Sequence, residues 1–149
     1  MTGHSVLHAT FTLERTYPAE PARVFAAWAD PAAKARWFAG EAVAHELDFR
    51  AGGRERVHRP ARDSTPALRF ESVYHDITGG ERIVYASTLS AGDQLATASL
   101  TTVEFSPEGG GTRLVLTEQG AYLDGLEQPG WREQGTSDQL AALAAELTA

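Results

Sequence analysis

The residues best able to do chemistry are two ionisable side chains in strand-like segments. His45 shares an alternating face with Val43, Leu47 and Phe49, and Glu55 shares one with Val57. A carboxylate turned into an apolar interior needs a partner or a raised pKa, and either makes it a hydrogen-bonding anchor or an acid. If Glu55 instead stands on a frayed strand among Arg54, Arg56 and Arg59, it is simply solvated. His45 has the same two readings, catalyst or hydrogen-bonded core residue, and the second is the commoner fate of a lone histidine. Glu118 lies on the face of Leu114 and Leu116 near a strand end, within reach of the rim of any cavity beneath. Arg69 and Glu71 share a face and are expected to pair at the surface.

Aromatic residues form the second group. Phe25, Trp28, Trp37, Phe38, Phe49, Phe70, Tyr74, Tyr85 and Trp131 accompany a single Met. Such side chains supply packing area first and pocket walls second. Trp37 and Phe38 at the end of a short helix, and Trp131 near the start of a long one, are the members expected at a cavity mouth.

Other chemistries find no support. The chain has no cysteine, so thiolate catalysis, disulfides and Cys-ligated metal are excluded. His45, His58 and His75 include no pair one helical turn apart, and His4 and His8 lie in a segment expected to fray. No metal site and no cofactor are expected. A serine-nucleophile elbow, a phosphate-binding loop with Lys and a dinucleotide fingerprint are absent, and Gly109 to Gly111 read as a hairpin.

These residues need elements to position them. Leu7 to Tyr17 alternates as a half-buried strand with Phe11 and Leu13 on one face. Pro21 opens a helix in which Val24, Phe25 and Trp28 share a side. Asp30-Pro31 ends it and caps a second helix that runs to Trp37-Phe38 before Gly40. Strands follow at Val43 to Phe49, Arg54 to Arg59, Leu68 to Ile77, Arg82 to Leu89, Leu95 to Phe105 and Thr112 to Gln119, joined by glycine-bearing turns and with no crossover helices. Pro129 to Leu147 places Leu140, Leu143, Ala144 and Leu147 on one helical stripe. The order β, α, α, six β, α is satisfied by an α+β helix-grip: a curved antiparallel sheet of about seven strands closed by the long C-terminal helix.

At 149 residues, with 42% hydrophobic and 22% charged residues, the chain fits one domain, taken as residues 1–149. The net charge of −7 disfavours nucleic acid and anionic membrane surfaces as partners. No N-terminal targeting pattern and no run of about 20 apolar residues is present, so the chain reads as cytoplasmic. Exposed sheet edges leave a homodimer open.

The segments TYPAEPARVFAAWADPAAKARWF, DFRAGGRERV, YHDITGGERIVYAS, GGGTRLVLTEQG and QLAALAAEL resemble the bacterial SRPBCC proteins of the START-like superfamily. The likeness is nearest to the branch named after the activator of the heat-shock chaperone ATPase, and it covers nearly the whole chain. It implies the helix-grip fold and, commonly, a cavity between sheet and last helix. Where such relatives carry Gly-Trp at the start of the final stripe, this chain has Gly135-Thr136, and either the space stays open for a ligand or Trp131 fills it. Glu55 matches a position that is often aromatic in relatives. The segment Thr117 to Gly125 looks like a subgroup signature whose loop gates the cavity or caps the final helix.

Three functions follow. The first is binding of a hydrophobic or amphipathic small molecule, with Trp28, Trp37, Phe38, His45, Phe49, Glu55, Phe70, Tyr85, Glu118, Trp131 and Thr136 as the candidate ligand-binding residues. The second is a cyclase- or hydrolase-type enzyme with Glu55 or His45 as acid or base. The third, regulation of a chaperone ATPase, rests on the branch name alone.

Overall fold

The computed structural model describes residues 3–40 and 44–148. The strand position expected for Val43 lies outside the described residues. Seven strands, β1 (Val6–Tyr17), β2 (Ala44–Leu47), β3 (Arg54–Arg59), β4 (Leu68–Thr78), β5 (Arg82–Ala91), β6 (Gln94–Glu108) and β7 (Gly111–Leu123), form one antiparallel sheet in the order β1-β7-β6-β5-β4-β3-β2. Between β1 and β2 lie helices α1 (Pro21–Ala29) and α2 (Pro31–Lys34), the latter running into a π-helical turn over Ala35–Ala39. Helix α3 (Pro129–Leu147) closes the chain. The architecture is the expected α+β helix-grip.

Local chemistry sets these boundaries. Pro21 and Pro31 each stand in the first turn of their helix, where the missing N–H costs nothing. The Asp30 carboxylate accepts from the Ala33 N–H at 3.0 Å, an N-cap formed where the sequence expects one. Between β2 and β3 the chain turns at Gly52, with φ of 83°, and at Gly53, where a Cβ would strike the Asp48 carbonyl oxygen. Strand β7 continues to Leu123 because Val6 to Thr10 of β1 pair with Leu123 to Gln119. Most of the segment expected to be a gating or capping loop is therefore strand.

Alternation along every strand turns one face inward. Phe11, Tyr74, Ile83, Val103, Phe105, Leu114 and Leu116 from the sheet meet Trp28, Trp37, Leu140 and Leu143 from the helices in one core. Long-range polar contacts fix α3 against it. The Tyr17 hydroxyl donates to the Leu140 carbonyl at 3.0 Å, and burial pushes its pKa up to about 12. Gln139 Nε2 donates to the Phe38 carbonyl at 3.0 Å. Glu71 lies 3.4 Å from His58 Nε2 across β3 and β4, in place of the expected contact with Arg69.

Candidate functional site

A cavity of about 230 Å3 separates the sheet from α3. Thr136, Gln139 and Leu140 of α3 form its roof. Val57, Phe70, Tyr85, Leu89, Leu116 and Glu118 of strands β3, β4, β5 and β7 form its floor. The π turn brings Trp37 and Phe38 to one wall: Trp37 packs on Trp28 at 4.8 Å between ring centroids, and Phe38 packs on Phe70 at 5.8 Å. Trp37 Nε1 donates to the Ala27 carbonyl at 2.8 Å and so pins α2 to α1. A π turn carries one residue more than an α turn, and here adjacent aromatics both face inward. Trp131 is 65% exposed at the rim, so it does not occupy the space beside Thr136.

The structure thus brings Trp28, Trp37, Phe38, Phe70, Tyr85, Glu118, Trp131 and Thr136 to one cavity. His45, Phe49 and Glu55 are not among its lining residues, which corrects the expectation that they face it. Phe49 packs edge-on between Phe25 and Tyr74, at 5.7 and 5.1 Å. Glu55 does point inward and is 1% exposed, but its carboxylate meets partners that strand alternation does not show.

The chief of these is Lys34, which is fully buried. Its ammonium lies 2.9 Å from Glu55 Oε1, 3.5 Å from the Tyr74 hydroxyl and 4.2 Å from the Phe38 ring centroid, with the rings of Trp28 and Trp37 at 5.1 and 5.7 Å. The Tyr74 hydroxyl donates to Glu55 Oε1 at 3.2 Å, and His45 Nε2 lies 2.8 Å from Oε2. Burial alone would push the Glu55 pKa up; Lys34 and His45 outweigh it and hold the carboxyl below its ordinary value. Burial lowers the Lys34 pKa against the opposing pull of Glu55. Burial, reinforced by Glu55, raises that of Tyr74. Both Glu55 oxygens are engaged by these three groups, and the cluster joins α2 to β2, β3 and β4. It sits behind the aromatic wall of the cavity and outside it.

A second polar group does line the cavity. The Arg132 guanidinium donates to Glu118 Oε2 at 2.7 Å and to Glu127 Oε1 and Oε2 at 3.0 and 3.3 Å. It also donates to the Thr97 hydroxyl, and it covers the Phe70 ring at 5.8 Å. Burial lowers the Arg132 pKa, but Glu118 and Glu127 together raise it further, so the cation is secure. The Thr101 hydroxyl donates to Glu118 Oε1 at 3.0 Å.

Sequence reasoning missed Lys34, Arg132, Glu127 and Gln139 as members of these groups. Arg132 was legible: it stands one turn before Thr136 on the same helical face, and the Thr136 hydroxyl donates back to its carbonyl. Lys34 gives a weaker sign, three residues before Trp37 in a helix otherwise rich in alanine. Among the described residues no group of three or more His, Asp or Glu is placed to hold a metal ion, and no helix is long and apolar enough to cross a membrane.

A curved antiparallel sheet gripping a C-terminal helix over a partly polar cavity defines a helix-grip protein. Residues 18–148 match the family described as activator of Hsp90 ATPase homolog 1-like protein, and the chain belongs to that family. Among solved structures it is similar to an uncharacterized protein from Rhizobium leguminosarum, with 44% identity, 99% of both chains covered and a TM-score of 0.93. It is also similar to the Mll3558 protein from Rhizobium loti, with 47% identity over 95% of this chain and 99% of that one, at a TM-score of 0.89. Protein CV1439 from Chromobacterium violaceum is 28% identical over 94% and 97% of the chains, at a TM-score of 0.78. No curated protein matches the chain.

Proposed function

We propose that this protein holds a hydrophobic or amphipathic small molecule in the cavity between the sheet and α3. The observation that carries this reading is the cavity itself, about 230 Å3 with Trp28, Trp37, Phe38 and Phe70 in its walls and a small Thr136 in its roof. Concave, largely apolar sites with a few convergent polar groups are the usual form of small-molecule sites. An engineered dry cavity of about 150 Å3 already binds benzene.

The enzymatic alternative named Glu55 or His45 as acid or base. Glu55 is buried, bonded on both oxygens and absent from the cavity lining, which weighs against it. Family membership supports regulation of a chaperone ATPase as a second reading, for which the discriminating assay is stimulation of the chaperone's ATP turnover by the purified protein.

The test of the binding reading is native mass spectrometry of protein purified gently from its own host, with identification of any small molecule retained. A stoichiometric apolar compound is expected, and Thr136→Trp should abolish its retention at unchanged circular dichroism by filling the roof of the cavity. A cavity left empty at every load of host extract would sink the binding reading.

A further inference from the structure

The mouth of the cavity carries a cation that the fold leaves uncommitted. Arg59 ends β3 on the face that already turns Glu55 and Val57 inward, and its register partner on β4 is Leu68, itself a lining residue. Arg59 lines the cavity and is nonetheless exposed, which sets its side chain at the mouth. The other charged residues of the lining, Glu118, Glu127 and Arg132, pair with one another. Arg59 pairs with none of them, and among the described residues its guanidinium makes no hydrogen bond or ion pair.

That arrangement decides which polar group a ligand can bring. Arg59 and Arg132 balance Glu118 and Glu127, so an anion entering the mouth meets no net negative charge in the lining. Arg132 has little left to offer it, because its three nitrogens are all engaged by the two carboxylates and Thr97. Arg59 offers the planar guanidinium fork that a carboxylate fits with two parallel hydrogen bonds. At the mouth the head group of a ligand keeps part of its water, which avoids the cost of burying a charge outright. The apolar part has a separate place: Trp131 is 65% exposed at the rim, and Trp28, Trp37, Phe38 and Phe70 stand deeper. A hydrocarbon body that covers Trp131 and enters between those rings removes apolar surface from water.

Size restricts the rest of the molecule. The volume of about 230 Å3 exceeds a benzene-sized cavity of about 150 Å3 and falls below the roughly 300–1,000 Å3 of drug-sized sites. Resting on the reading of this cavity as a ligand site, we propose that its occupant is a small amphipathic carboxylate. Its apolar body, a single ring with a short chain in size, lies among the aromatic walls, and its carboxylate pairs with Arg59 at the mouth.

The test is isothermal titration of wild-type protein with 4-phenylbutyrate, 4-phenylbutanamide and 4-phenylbutylamine at neutral pH and low salt, repeated on Arg59→Gln and Arg69→Gln. Arg69 neighbours His58 on β4, is exposed and does not line the cavity, so its loss removes the same charge without touching the mouth. The carboxylate should bind about fivefold tighter than the amide, the upper range for an exposed ion pair, and the amine should bind weakest. That advantage should shrink as salt is raised toward about 1 M. Arg59→Gln should erase it and leave the amide unchanged, whereas Arg69→Gln should preserve it. Equal affinity for carboxylate and amide, an advantage that survives Arg59→Gln, or one lost equally in Arg69→Gln overturns this inference while leaving the cavity a binding site. Failure of all three probes to bind the wild type overturns the binding reading and this inference with it.

Discussion

A lysine with no exposed surface is the most consequential residue in this chain, because an ammonium taken from water is costly unless paired and hydrogen-bonded. Lys34 is paired with Glu55 and faced by three aromatic rings, and Glu55 in turn receives His45 and Tyr74. Removing one partner of such a pair leaves the other uncompensated. Lys34→Met should therefore cost about 3–5 kcal/mol of unfolding free energy in urea titrations. Adding Glu55→Gln should recover a substantial part of that loss, since a neutral amide can still accept from Tyr74.

The same pair sets an acid limit. The Glu55 carboxyl is held below its ordinary value, so its contribution is fully present above the unfolded-state pKa of 4.5 and is lost as pH falls through the folded one. Stability measured from about pH 5 downward should fall less steeply in the Lys34→Met/Glu55→Gln variant than in wild type, by up to one proton in the linkage slope. An unchanged slope would mean that Glu55 is not ionised in the fold.

Among the elements, the pairing of α2 with its π turn does the most positioning. Four α-helical residues leave Lys34 under the sheet edge, and the π turn that follows presents Trp37 and Phe38 to the cavity. So short a helix has little propensity of its own and depends on its ends and on tertiary packing. Its N-cap is the Asp30 carboxylate, and Asp30→Ala should lower stability by about 1 kcal/mol in thermal or urea unfolding. Because α2 carries one wall of the cavity, the same substitution should weaken ligand retention as well. Against that same wall, α3 is held by Tyr17, Gln139 and the Arg132 network, and every one of these contacts spans distant parts of the sequence except that between Arg132 and Glu127.

At the scale of the whole molecule, β1 pairs with β7 from Val6 with Leu123 to Tyr17 with Thr112, positions far apart in the chain, and this pairing makes the N-terminal segment a sheet edge. The sequence by itself determined the element order, most strand and helix limits and the inward faces, because alternation, helical stripes, prolines and glycines act within a few residues of where they stand. Asp30 was readable as a cap, Thr136 as an opening in the roof, and the aromatics as walls. What only the tertiary structure decided is which inward-facing polar group meets which. Glu55 and Glu118 both lie on inward faces, yet one closes on Lys34 behind the aromatic wall and the other joins Arg132 in the cavity. That difference depends on where α2 and α3 rest against the sheet, and it therefore arises from contacts between residues far apart in the chain, which no local periodicity encodes.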